Sequence, residues 1–132
     1  MPLRMTLKPG ERIIVGGAVL TNGPTVAHLL VENRVPLLRQ KDILSEAKAT
    51  TPCKKVYLVV QLMYIGEGLT SELAQLYWGL VRDILEAAPS TNDLISQISA
   101  YIVDMNFYPA LKIAKKLISY EEELMNHAAK LG

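Results

Sequence analysis

In the stretch Val35-Pro36-Leu37-Leu38-Arg39-Gln40-Lys41-Asp42-Ile43-Leu44 the hydrophobic pattern changes its period. Up to Arg39 the apolar residues recur at about every second position, the spacing of a half-buried strand. Beyond Gln40 they recur every three or four, the spacing of a helix. The chain is therefore read as α+β: an antiparallel β-meander of about five short strands, then a bundle of about four helices. Both parts are assigned to one domain over residues 1–132, β-rich in 1–45 and helical in 46–132.

Upstream of this junction, Leu3, Met5 and Leu7 alternate with Arg4, Thr6 and Lys8, giving a strand with one apolar and one partly basic face. Pro9-Gly10 turns the chain, and Gly16-Gly17 between Ile13-Ile14-Val15 and Ala18-Val19-Leu20 reads as a two-residue hairpin. Asn22-Gly23 is a second hairpin signal, before a strand over Thr25 to Glu32, and Asn33-Arg34 a weaker third. Pro36 places the last strand at an edge, or itself at the strand's first position.

Downstream, Asp42 to Glu46 reads as a single turn and Lys48-Ala49-Thr50 as a short linker. Thr51 caps a helix with Pro52 at its first position, running to about Ile65 and broken by Gly66 and Gly68. From Ser71 to about Ala88 a stripe of Leu73, Leu76, Tyr77, Leu80, Val81, Ile84 and Leu85, approached by Leu69, predicts an amphipathic helix that Pro89 stops. Ser90 and Asp93 resemble a capping box for a third helix, with Leu94, Ile98, Tyr101, Ile102 and Met105 on its inner face. Pro109 opens a fourth, to about Ala129, with Ile113, Leu117, Leu124 and Ala128 inward.

Half of the residues are apolar, sufficient for a real core in 132 residues. The net charge of +1 conceals an asymmetry: residues 1–55 carry +5 and residues 56–132 carry −4. A basic half suggests a nucleic-acid partner, while the alternative is an ordinary solvated surface. One cysteine, no apolar opening and no apolar run of the roughly 20 residues a bilayer requires give the expectation of a cytoplasmic protein.

Catalytic chemistry is not evident, and binding is the expected activity. His28 and His127 are not at metal-ligand spacing with Cys53, so no metal and no cofactor are expected. His28 reads as a part-buried structural histidine in a strand. Cys53, in the first turn of a helix, reads as packed and inert rather than as a nucleophile. Gly16-Gly17 lacks the ending of a phosphate loop, no serine sits in a nucleophile elbow, and Glu121-Glu122-Glu123 reads as a solvated face. Trp78 lies roughly 120° from the centre of its helix's apolar stripe, taking about 100° per residue. It is either the edge of the core or a contact with another subunit or protein.

Four separated blocks resemble the FlbT family of flagellin regulators. They are Met1-Pro2-Leu3-Arg4-Met5-Thr6-Leu7-Lys8-Pro9-Gly10-Glu11-Arg12, Leu38 to Leu44, Thr50 to Tyr57, and Tyr108-Pro109-Ala110-Leu111-Lys112 with Tyr120-Glu121. The resemblance implies a bacterial post-transcriptional regulator acting on the 5′ untranslated leader of flagellin mRNA, changing its translation and stability. It also implies a link to flagellin and to the companion protein FlaF. Residues 1 to about 45 further resemble the carbon storage regulator, an intertwined β-homodimer that holds RNA where the first strand of one chain lies beside the last strand of the other. That second resemblance implies contacts near Met5, Thr6, Lys8 and Arg39.

Together these readings make Arg39, Lys8, Arg4, Thr6, Lys41 and Arg34 the candidate RNA-binding residues, with Arg39 expected to project from the rim of the β-region. Residues 1–55 contain no Phe, Tyr or Trp, so base contacts there would use backbone, Arg planes or apolar side chains. Trp78 is the candidate interface of a homodimer or partner. The competing function is a protein-binding adaptor that docks flagellin or FlaF through its helices.

Overall fold

The computed structural model describes residues 2–66 and 68–131. They form two compact units, Met1–Ile43 and Leu44–Gly132, so the chain divides close to the expected change of period. The architecture is α+β, with five short antiparallel strands followed by four helices.

In the first unit the strands are β1 (Leu3–Leu7), β2 (Arg12–Val15), β3 (Ala18–Thr21), β4 (Ala27–Val31) and β5 (Leu37–Arg39). They form two sheets: β1 pairs with β4, and β2 lies between β3 and β5. The Gly16-Gly17 hairpin joins β2 to β3 as expected, with Gly16 in the left-handed region at φ +60. The two later hairpin signals do not make hairpins, since β4 pairs with neither β3 nor β5. Asn22 has another use: its side-chain amide donates to the carbonyls of Leu7, Lys8 and Thr25, at 3.3, 2.8 and 2.9 Å. The chain is thereby pulled back across the 8–11 turn, and β4 reaches β1. Pro36 precedes edge strand β5, where its carbonyl accepts from the Gly16 N–H at 2.7 Å. Met5, Leu7 and Ile13 form the buried cluster, covered in part by Val15, Ala27, Val31 and Leu37.

In the second unit the helices are α1 (Pro52–Ile65), α2 (Ser71–Ala87), α3 (Asn92–Val103) and α4 (Phe107–Leu131). Two short 3-10 turns, Gln40–Asp42 at the end of the first unit and Glu46–Lys48 in the second, replace the single turn expected over 42–46. The Thr51 hydroxyl accepts from the Lys54 N–H at 3.2 Å, the predicted cap of α1. Gly66 ends that helix: a Cβ there would lie 2.8 Å from the Leu62 carbonyl, so a side chain would force the backbone apart. Helix α4 packs against α1 and α3, and α2 against α1. The buried faces carry Val56, Val60 and Met63; Tyr77, Val81 and Ile84; Ile95, Ile98 and Ile102; and Ala110, Leu111, Ala114 and Leu117.

Several inward assignments shift by a residue or two. Leu76 is exposed, because the stripe of α2 centres on Tyr77, Val81 and Ile84. Ala128 is exposed on α4. The Ser90–Asp93 capping box does not form: the Ser90 hydroxyl accepts from Tyr120, and a 3-10 turn over Pro89–Thr91 leads into α3. Met105 lies beyond α3 rather than on its inner face, at φ +59. The Met105 N–H donates to the Ile102 carbonyl and the Asn106 N–H to the Tyr101 carbonyl, a Schellman ending in which Met occupies the place usually held by Gly.

Candidate nucleic-acid interface

Alternation along β1 turns Met5 and Leu7 into the core and leaves Arg4, Thr6 and Lys8 exposed. Pairing with β4 sets Arg4 opposite Leu30 and Thr6 opposite His28, and the Thr6 hydroxyl lies 3.2 Å from His28 Nδ1. His28 is in a strand as expected, but exposed rather than part-buried. Met5, implied as a contact by the second resemblance, is a core residue.

Arg39 ends β5, opposite Ile13 of β2. Its guanidinium does not project from the rim but folds back over β1 and the 8–11 turn. Nη2 donates to the Thr6 carbonyl at 2.6 Å and to both Glu11 carboxylate oxygens at 3.1 and 3.3 Å, and Nε lies 3.4 Å from Glu11 Oε2. The Lys8–Glu11 turn explains this placement. The Glu11 N–H donates to the Lys8 carbonyl at 3.0 Å, and the Lys8 N–H donates to Glu11 Oε1 at 2.9 Å. The Lys8 N–H is the largest influence holding the Glu11 carboxyl below its usual range; partial desolvation opposes it, and Arg39 adds to the lowering. The Arg39 side chain remains 36 % exposed and that of Glu11 13 %. Gln40 closes the same corner by accepting from the Arg12 N–H at 2.6 Å.

Arg39 lines two neighbouring hollows on this unit. One, of about 570 Å³, is formed by Lys8, Pro9, Gly10, Glu11, Gln40 and Lys41 together with Arg39. The other, of about 730 Å³, is formed by Arg4, Met5, Thr6, His28, Leu29 and Leu30 together with Arg39. Of the sequence candidates, Arg39, Lys8, Lys41, Arg4 and Thr6 thus gather around a single guanidinium. Arg34 does not: it is exposed in the segment between β4 and β5 and lines neither hollow. Glu11, Gln40, His28, Leu29 and Leu30 escaped the sequence reading. Only the Lys8–Glu11 spacing across Pro9-Gly10 offered a local signal.

On the helical unit, Trp78 is 46 % exposed and meets the buried Tyr77 ring edge-on, with centroids 4.9 Å apart. Cys53 is buried, as expected. Glu121 is not merely solvated: its carboxylate accepts from the Thr51 hydroxyl and, at 3.2 Å, from the Cys53 N–H. Among the described residues, no three of His, Cys, Asp and Glu gather into a metal site, and no helix is long and apolar enough to cross a membrane.

Residues 3–125 match the family model described as flagellar protein FlbT. The chain is 49% identical over 125 residues to the probable flagellum biosynthesis repressor protein FlbT 1 of Bradyrhizobium diazoefficiens, covering 94% of this chain and 85% of that protein. It is 42% identical over 126 residues to the corresponding probable repressor of Rhodopseudomonas palustris, covering 96% and 99%. It is 32% identical over 133 residues to the flagellum biosynthesis repressor protein FlbT of Caulobacter vibrioides, covering 98% and 93%. No solved structure matches the chain. With relatives at these identities over nearly their whole lengths, and a family model spanning most of the sequence, the chain belongs to the FlbT family of flagellar regulators, which are not enzymes.

Proposed function

We propose that this protein is an RNA-binding post-transcriptional repressor in the cytoplasm, which binds the 5′ untranslated leader of flagellin mRNA and controls its translation and stability during flagellar assembly. The observation that carries the proposal is the convergence on Arg39 of two hollows. One sets Lys8 and Lys41 beside it; the other sets Arg4 and His28 beside exposed apolar Leu29 and Leu30. Single-stranded RNA demands this mixture, with cations for phosphates and a flat or apolar surface for unpaired bases. Arg39 suits both roles, since a guanidinium grips phosphate through two donors or lies flat on a base. Arg34, outside both hollows, would act only as a distant basic residue. Titrating a flagellin leader by filter binding across a salt series tests the proposal: log affinity should fall linearly with log salt. Affinity indifferent to salt, or equal for an unrelated unpaired RNA, would refute it.

One observation favours an additional adaptor role. Trp78 is exposed on one face of α2, and tryptophan is enriched where proteins meet. This face is the candidate contact for FlaF, flagellin or a second copy in a homodimer. Light scattering of the wild type and of Trp78→Ala distinguishes self-association from a contact with another protein.

A further inference from the structure

The helical unit holds a hollow that the RNA-binding proposal does not use. It is about 340 Å³, near the lower end of the roughly 300–1,000 Å³ typical of small-molecule sites. Pro52 and Cys53 of α1, Asp83, Ile84 and Ala87 of α2, Ala88 and Thr91 beyond it, and Glu121 and Leu124 of α4 form its walls. It is open where α2 ends in Ala87 and is followed by Ala88, two small side chains. The walls are mostly apolar and carry two carboxylates: Asp83, which pairs with Arg82 at 3.6 Å, and Glu121.

The helix ends set the rest of the electrostatics here. The positive pole at the start of α1 is already met by Glu121, which accepts from the Cys53 N–H and the Thr51 hydroxyl. The negative pole at the end of α2 has no basic residue in its last turn, where a cation would be stabilising. A carboxylate offers about four lone-pair positions, and Glu121 already accepts from the Thr51 hydroxyl, the Cys53 N–H and the Cys53 thiol, so about one remains. We propose that this hollow binds a small organic amine, with its alkyl or aryl body between Ile84 and Leu124 and its ammonium beside Glu121. At about 340 Å³ the hollow is sized for a small amine rather than for a protein helix.

Phenethylammonium is the probe, followed by NMR of the Ile and Leu methyls of the full chain. The expected result is saturable shifts at Ile84 and Leu124. Affinity should be about tenfold or more above that of 2-phenylethanol, because a hydrogen bond to a charged group is worth more than a neutral one. Glu121→Gln should abolish that preference. Ala87→Leu, at an exposed position, should fill the pit and remove binding without altering the fold. The proposal is overturned by no shift in the wild type, by equal affinity for alcohol and amine, by binding that survives Ala87→Leu, or by a capped Leu-Lys dipeptide binding tighter than the amine.

Discussion

The Arg39 guanidinium lies against both carboxylate oxygens of Glu11, 28 residues away in sequence, while the same nitrogen, Nη2, donates to the Thr6 carbonyl. Any phosphate that takes Arg39 must compete with Glu11. Glu11→Gln should therefore strengthen leader binding and steepen its salt slope by about one unit, through one added phosphate contact. Weaker binding by this variant would show instead that Glu11 positions Arg39 for RNA. Stability has the opposite sign. A carboxyl held below its usual range stabilises the fold above that range, and this contribution is lost as pH falls through its lowered value. Acid unfolding of Glu11→Gln should accordingly begin from a less stable protein and depend less on pH.

Arg39→Ala should weaken leader binding by roughly 1–3 kcal/mol. Its bonds to Thr6 and Glu11 also hold part of the fold, but the pair is more than a third exposed on the arginine side. The loss of stability should thus stay within about 1 kcal/mol. Arg39→Lys keeps the charge and loses the fork, so binding between that of wild type and alanine variant is expected. Lys8→Ala and Lys41→Ala should each lower the salt slope by about one unit without changing sequence preference. Filter binding and urea denaturation of the same preparations check both effects.

The Cys53 thiol is pushed up to about 12, first by burial and then by its hydrogen bond to Glu121 and the carboxylate's charge. It is protonated at neutral pH and should react with iodoacetamide only as fast as the chain opens. A thiol whose folded value is raised from 9.0 contributes stability that is complete below about pH 9 and declines as pH climbs toward about 12. Native labelling as fast as in denaturant would contradict this.

Met105 occupies a left-handed position while 58 % exposed, so its side chain gains little from burial to offset the backbone cost. Met105→Gly removes a left-handed penalty of about 1–2 kcal/mol and adds the greater unfolded-chain entropy of glycine, for a net gain of roughly 0.5–1 kcal/mol. Thermal unfolding should show a higher midpoint.

What the sequence disclosed and what it withheld divide by distance along the chain. Thr51-Pro52 predicted the start of α1 because the cap is made within three residues. The first hairpin was equally local, two glycines between two apolar runs. The partner of β4 was not legible, because it depends on one Asn22 amide reaching carbonyls 14 and 15 residues back. Glu121 looked like a solvated charge for the same reason: the groups it serves lie 68 and 70 residues away. At the site, the basic side of β1 could be read from alternation, whereas the pairing of Arg39 with Glu11 needed the fold. The buried Gln61, which accepts from the Leu44 N–H and donates to the Leu44 carbonyl, likewise had no sequence signal.

The clamp made by Asn22 also gives the β-unit a chemical lifetime. Asn22 precedes Gly23, whose missing side chain leaves the backbone nitrogen free to attack the asparagine amide and expel ammonia. Water then opens the resulting succinimide to aspartate or isoaspartate, which would turn a donor into a charged acceptor facing the carbonyl oxygens of Leu7, Lys8 and Thr25. Three attractions become three repulsions at the crossing that brings β4 to β1. Aged protein should therefore loosen first in residues 3–31, detected as faster amide exchange there while the helices keep their protection, and Asn22 is where the molecule records its age.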